Sequence, residues 1–302
     1  MSRVVHIAIK VDDLEKSTKF YEDVFGIYQT KTGHARGHTS RHMTDGNIDF
    51  AIMTYDSEDE AEAKLIGKGP GIHHYGVEVE DREATIKKIE ENGGKIFSDR
   101  GEGALKFQAP DGNYGEIVAV GRYKTKEKIE NRFVHLALKV DDLEKARKFY
   151  ENVFGFNHVI TEKSRKHTSC HLSDGFLDFA LMQYDAEDKD ESRWAGDGPR
   201  IHHTGIQVPD QAAFAEKIKA AGGTILSKPG EGALKFRAPD GTLSEIVKPG
   251  RYEEKKERGA VLAKAEATSR TIKKGAAVRQ RFFCYLNDFS CFSTDFVASP
   301  RR

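Results

Sequence analysis

Cysteine is scarce in this 302-residue chain, which has only Cys170, Cys284 and Cys291. Three thiols build no paired disulfide framework, and that suits a reducing cytoplasm. An excess of charge of one sign is missing too. Lysine plus arginine number 48 and aspartate plus glutamate number 48, so the net charge is zero with neutral histidines. This removes the electrostatic argument for a nucleic-acid or anionic-membrane partner. No apolar run approaches the ~18 residues that a membrane helix needs. The N-terminus enters a strand-like run at Val4 with no basic stretch and apolar core before it, so no secretory leader is expected. Glycine-rich phosphate loops, zinc-knuckle cysteine spacing and a Ser-His-Asp order are likewise missing. The expectation that survives is a cytoplasmic protein acting on a small molecule, either a monomer of paired domains or a homodimer.

What the sequence does hold is one domain written twice. His6 and His135, His74 and His203, and Glu116 and Glu245 each stand 129 residues apart, and so do the runs Val11 to Lys16 and Val140 to Lys145. Gly101 to Phe107 recurs at the same spacing as Gly230 to Phe236. That period is too long for a solenoid and fits duplication of a whole domain. The boundaries read as 3–123 for the first domain, 124–131 for a polar linker and 132–252 for the second. Residues 253–302 form a charged, then aromatic and basic tail, read as disordered or loosely docked. A hydrophobic fraction of 38% suffices for two small cores.

Within a copy, Val4 to Val11 alternates with period two. Val5, Ile7, Ile9 and Val11 share one face, and His6, Ala8 and Lys10 the other. Asp12 reads as a helix N-cap with Glu15 completing a capping box, and Gly26 as the residue that ends the helix. His38 to Met43 and Ile48 to Tyr55 read as strands joined by an Asp45-Gly46 turn. Asp56 to Lys68 reads as a loop or short exposed helix. The pattern then restarts. A strand from Ile72 to Val79 precedes a helix from Asp81 to Asn92, and strands follow at Lys95 to Ser98, Leu105 to Gln108 and Tyr114 to Val120. The fold class is α+β, with four strand-helix-strands modules in two tandem domains.

Strand alternation selects which histidines converge. His6 lies opposite the apolar face of its strand. On the strand from Ile72, His74 lies opposite the helix-facing set of Tyr75, Val77 and Val79, while His73 falls with that set. Glu116 flanks Ile117 on the opposite face of the last strand. Two imidazoles and a carboxylate from three strands suit a borderline divalent cation and leave positions open for water and substrate. The metal-ligand candidates are therefore His6, His74, Glu116, His135, His203 and Glu245. The bland reading of a lone strand histidine, a hydrogen-bonded core or rim residue, competes with this. His38 and His42, with His167 and His171 in the second copy, are candidate general acids or bases. Lys106 and Lys235 are candidates to polarise an oxyanion, against the alternative of snorkelling rim lysines. Glu102 and Glu231, in a glycine-rich loop, are candidates to cover the site.

These residues resemble the vicinal oxygen chelate superfamily, which includes glyoxalase I, extradiol dioxygenases and the fosfomycin and bleomycin resistance proteins. The resemblance is carried by His6, Asp12 to Lys16, Phe20-Tyr21, Phe25-Gly26, His74, Gly93-Gly94 and Ala109-Pro110-Asp111-Gly112 with Glu116-Ile117, and again by their counterparts in the second copy. It covers both domains. It implies paired βαβββ modules curling as cupped mixed β-sheets around one metal, with substrates that chelate through adjacent oxygens. Resemblance to glyoxalase I implies a fourth ligand, a glutamate, on the last strand of the first module. Here that position is read as Ile52, and as Leu181 in the second copy, neither of which can ligate. A His-His-Glu set resembles extradiol dioxygenases, although Arg100 to Gln108 offers Lys106 and neither the His nor the Tyr of the ring-cleavage signature. The expected cofactor is a divalent metal ion, Fe(II) or Mn(II) ahead of Zn(II), Ni(II) or Co(II). Dioxygenase-type chemistry is the first expectation. A glyoxalase- or epimerase-type lyase or isomerase is the second, and a metal-free binding or resistance module the third. The sequence leaves open whether a site closes within one copy or pairs His6 with His203 and Glu245.

Overall fold

The computed structural model describes residues 2–98, 101, 103–123, 127–164, 167–185, 191–228 and 232–261. In the first copy β1 (Arg3–Lys10), α1 (Leu14–Phe25), β2 (Tyr28–Ala35), β3 (His38–Thr44) and β4 (Asp49–Tyr55) make one module. The second module is β5 (Gly71–Val79), α2 (Arg82–Glu91), β6 (Lys95–Ile96), β7 (Ala104–Gln108) and β8 (Tyr114–Ala119). The second copy repeats this as β9 (Arg132–Lys139), α3 (Leu143–Phe154), β10 (Asn157–Ser164), β11 (His167–Ser173) and β12 (Asp178–Tyr184), then β13 (Arg200–Gln207), α4 (Gln211–Ala220), β14 (Thr224–Ile225), β15 (Ala233–Arg237) and β16 (Leu243–Val247).

Each copy forms one eight-stranded mixed sheet, ordered β2-β3-β4-β1-β5-β8-β7-β6 in the first and β10-β11-β12-β9-β13-β16-β15-β14 in the second. The two module-opening strands, β1 and β5, pair antiparallel at the centre. β4 joins β1 and β8 joins β5 in parallel, so the modules are related by a local twofold between β1 and β5. That arrangement carries His6 and His74 onto adjacent strands.

Local chemistry explains the helices. α1 starts at Asp13, whose carboxylate accepts the Lys16 N–H at 2.9 Å. The expected cap at Asp12 is therefore one residue early, and Lys16 rather than Glu15 holds the third helical position. Gly26 ends the helix at φ 70°, a left-handed conformation that needs no Cβ. Phe20, Tyr21, Val24 and Phe25 are its buried stripe. β2 was not anticipated, because Tyr28–Ala35 is a polar, exposed edge strand with no alternation to betray it.

The two small cores expected from composition are one. Buried residues of both copies make a single apolar cluster that spans the helix-bearing faces of both sheets. Phe25 lies within 6.0 Å of Phe214 and of Phe236, and Phe107 within 5.8 Å of Phe154. Polar bonds cross with the same symmetry. The Asp45 carboxylate accepts the Phe133 N–H at 2.7 Å, and Asp174, its counterpart, accepts the Val4 N–H at 2.8 Å. The described end of the linker docks on the first copy, where the Tyr28 hydroxyl donates to the Glu127 carbonyl at 2.7 Å.

The chain from 1 to 255 is one compact unit, and a helix opens at Arg251 within it. Residues 256–261 of the second unit are helical, and the rest of the expected tail lies outside the described residues. Among the described residues no helix is long and apolar enough to cross a membrane.

Candidate metal centre

Each sheet turns its other face toward a polar cluster. In the first copy His6 on β1, His74 on β5 and Glu116 on β8 place one imidazole nitrogen each and a carboxylate oxygen within 4.8 Å of one another, all buried. His135, His203 and Glu245 do the same in the second copy. The three sequence-selected residues of each copy thus meet within that copy, which disposes of the arrangement that paired His6 with His203 and Glu245.

A close approach makes room for this. Gly76 lies between the ligand candidates, and a Cβ there would stand 2.7 Å from the His6 Cβ and 3.1 Å from Glu116 Oε1. Gly205 sits equivalently against His135. Glycine is required at both positions because any side chain would fill the gap between imidazole and carboxylate.

Hydrogen bonds decide which ring nitrogens face inward. Asp49 on β4 accepts from His6 Nδ1–H at 2.7 Å and from His42 Nδ1–H at 2.8 Å. His6 Nε2 is thereby left with its lone pair. His74 is set through its neighbour. The Glu62 carbonyl can only accept, so it takes the His73 Nε2–H at 2.8 Å. His73 Nδ1 then accepts from His74 Nδ1–H at 2.8 Å, and His74 Nε2 keeps its lone pair, 3.6 Å from Glu116 Oε2. In the second copy His202 receives from His203 at 2.9 Å and donates to the Glu191 carbonyl at 2.8 Å, while Asp178 takes His135 at 2.6 Å. Partners of this kind fix the tautomer and orientation of metal-binding imidazoles.

The electrostatics agree at His73 and His74, whereas at His6 burial is outweighed by the Glu116 and Asp49 carboxylates, which raise the imidazole above its usual range. Burial pushes His73 down to about 4 and His74 well below the usual imidazole range, so both rings are neutral near pH 7. Burial opposes the charge of Glu116, yet His6, His74 and the Tyr123 hydroxyl outweigh it and hold the carboxyl well below its ordinary range. Asp49, likewise buried, is brought to about 2 by His42 and His6.

Several functional neighbours escaped the sequence reading. The Tyr123 hydroxyl donates to Glu116 Oε1 at 2.8 Å, and its ring stacks on His6 at 4.6 Å. Tyr252 does both at Glu245 and His135. Both tyrosines lie past the end of a strand, where alternation says nothing. The repeat was the available signal, since Gly121-Arg122-Tyr123 recurs as Gly250-Arg251-Tyr252. Asp49 and Asp178 were equally readable, as repeated acids facing the site from β4 and β12.

Other expectations shift. His73 does not join the helix-side core. A register irregularity between Ala8 and Ile9 on the paired strand places it beside His74. A second irregularity at Val5 puts Val4, rather than Val5, in the core cluster. The fourth-ligand position is Ala51, not Ile52. His6 pairs with Asp49 and Ala8 with Ala51, just as Gly76 pairs with Glu116, so the local twofold maps Glu116 onto Ala51. Ile52 is in the core cluster. Ala180 replaces Leu181 by the same argument. Neither alanine can ligate, so the consequence for a four-ligand site is unchanged.

His42 and His171 sit beside the triads through Asp49 and Asp178. Lys255 Nζ lies 2.7 Å from His171 Nε2, so Lys255 stands at the second site, past the expected domain end at 252. His38 and His167 are not brought to the triads but lie against the rings of Tyr55 and Tyr184 at 5.3 and 5.1 Å. Lys106 is buried beside the first triad and pairs with Glu62, and Lys235 pairs with Glu191 at 2.9 Å. Glu102 and Glu231 lie outside the described residues.

A doubled eight-stranded sheet with a buried His-His-Glu cluster in each copy defines a class. The chain belongs to the Glyoxalase/Bleomycin resistance protein/Dioxygenase superfamily, whose sequence model matches residues 3–117 and 132–246. Among curated proteins it is 26% identical over 252 residues to a probable chloroplastic lactoylglutathione lyase of Arabidopsis thaliana, covering 76% of this chain and 66% of that one. It spans 54% of the length of a second lactoylglutathione lyase of that plant, at 25% identity. Its fold is similar to a variant of 4-hydroxymandelate synthase from Streptomyces coelicolor, with a TM-score of 0.66 at 14% identity over 81% of this chain and 91% of that one. It is also similar to the Mn(II)-bound glyoxalase from Novosphingobium aromaticivorans, with a TM-score of 0.59 at 16% identity over 82% and 83%.

Proposed function

We propose that the protein is a metal-dependent enzyme with two sites, each binding a small substrate through adjacent oxygens and carrying out dioxygenase-type chemistry. The observation that carries this is the donor set. Each copy gathers two neutral-capable imidazoles and one ionised carboxylate, with alanine where a fourth ligand would stand. His6, His74 and Glu116 would hold one divalent cation, and His135, His203 and Glu245 a second. Fe(II) or Mn(II) suits three N/O ligands with open positions. Such a cation supplies a Lewis acid and open places for substrate oxygens and O2.

The chain's own residues do the rest. Asp49 and His73 orient the two imidazoles, and Tyr123 keeps the Glu116 carboxylate aimed. Ala8 and Ala51 form a small buried apolar patch with Met53 on the same side of the sheet as the triad. His42, held on Asp49, is placed to move a proton at its Nε2.

That last point favours a second reading, a glyoxalase- or epimerase-type lyase or isomerase, and the similarity to lactoylglutathione lyases supports it too. The readings separate on oxygen. The Fe(II)- or Mn(II)-loaded protein, screened with vicinal diols and 2-oxo acids, is expected to consume O2 with turnover. Full-rate turnover under anaerobic conditions, with deuterium from solvent entering the carbon next to a carbonyl, would replace the first reading with the second.

A further inference from the structure

Lys106 is the unexplained group in the first cup. It lies on β7 directly across from Glu116, and cross-strand neighbours share a face. Its side chain is buried, and its ammonium pairs with the Glu62 carboxylate. A buried lysine beside a cation site is costly unless an anion neutralises it. The question is whether Glu62 is there as a structural tether or as a stand-in for another anion.

The loop that carries Glu62 does not depend on this ion pair. Lys10 Nζ donates to the Ala63 carbonyl at 3.1 Å and to the Gly67 carbonyl at 2.8 Å, and His73 donates to the Glu62 carbonyl itself. The second copy anchors its loop likewise, through Lys139 to the Ser192 and Gly196 carbonyls and His202 to that of Glu191. The backbone is held on both sides of the glutamate, so the loop does not need the Lys106 pair, and the Glu62 carboxylate has Arg36 Nη1 at 3.9 Å as a second cationic neighbour. The loop sequences differ between copies, AEAK against DESR, yet the glutamate and its lysine partner stand in both. Glu62 also keeps part of its side chain in solvent, at 22% exposure, which gives it somewhere to swing.

We propose that Lys106 and Lys235 are specificity-determining residues that receive a carboxylate of the chelating substrate, and that Glu62 and Glu191 occupy that receptor until the substrate displaces them. The substrate class is then a small oxygen-chelating acid, such as a 2-oxo or 2-hydroxy acid, rather than a neutral diol. This rests on the reading above that substrate oxygens gather at the triads.

The test is calorimetric binding to the Mn(II)-loaded full chain, using pyruvate and its neutral amide, pyruvamide, as probes. Wild type is expected to prefer pyruvate. Lys106→Met with Lys235→Met is expected to cut pyruvate affinity about tenfold or more, as loss of a charge-assisted hydrogen bond does, and to spare pyruvamide. Glu62→Gln with Glu191→Gln, nearly isosteric, is expected to raise pyruvate affinity by removing the competitor. Equal loss for both probes in the lysine variant, or an unchanged preference in the glutamine variant, would overturn the proposal. Metal content is measured on the same preparations. A wild type that holds no Mn(II) would sink the proposed function instead, so the two failures are told apart.

Discussion

His73 Nδ1 lies 2.8 Å from His74 Nδ1, and this contact between adjacent imidazoles determines which nitrogen of His74 faces Glu116. A neutral ring that donates through Nε2 must accept through Nδ1, so His73 works as an acceptor locked in place by the Glu62 carbonyl. Replacing His73 with leucine removes that acceptor and leaves His74 free to present either nitrogen. Metal affinity at the first site is expected to fall by about 10–100-fold, the usual cost of losing an outer partner. A chelator competition titration would resolve it, with the second site as the internal reference. Equal affinity at both sites would show that His73 does not position His74.

The ligand assignment predicts stoichiometry. The wild type is expected to hold two divalent ions per chain by elemental analysis. His74→Ala or Glu116→Ala should leave one, and either combined with His203→Ala should leave none. Since each triad closes within one copy, adding His6→Ala to His74→Ala should cost nothing further. A wild type purified and reconstituted without bound transition metal would instead support a metal-free binding module.

Much of this was legible in the sequence, and the exceptions have physical causes. Period-two alternation placed His6, His74 and Glu116 on one face because each lies in a regular stretch of its strand. It misplaced His73 and Val5, where the β1–β5 register is irregular, since an extra residue reverses the facing. The resemblance put the fourth-ligand position at Ile52 rather than Ala51 because a strand's phase comes from its pairing, not from its own letters. Tyr123 and Lys255 sit outside any strand, so periodicity carried no information about them. The joint core was hidden for a related reason. Each copy reads as complete, and nothing local says that Phe25 will meet Phe236.

Ala51 offers a gain-of-ligand test. Its Cβ faces the same polar side as Ala8, at the position equivalent to Glu116 under the local twofold. Ala51→Glu with Ala180→Glu is expected to tighten metal binding, since a fourth charged ligand joins each set, and to suppress any O2 consumption by filling a position that substrate and O2 need. Chelator titration and an oxygen electrode measure the two effects. Undiminished O2 uptake with tighter metal would show that the fourth position is not the one O2 uses.

Asp45 tests how the copies are held together. Its buried carboxylate accepts the N–H groups of Asn47 and Ile48 within its own turn and of Phe133 in the other copy. Asp45→Ala leaves those three donors without that acceptor, two of them in the turn and one at the start of β9. The cost is expected to be about 3 kcal/mol, from the desolvation penalty of unpaired buried donors less some relaxation. Urea unfolding of the full chain would read this as a lower midpoint. Asp174→Ala, which orphans the Val4 N–H and its own turn donors, should cost a similar amount by the same symmetry. If the two copies unfolded independently, either substitution would split the transition into two steps. A single shared core predicts one cooperative transition that moves as a whole.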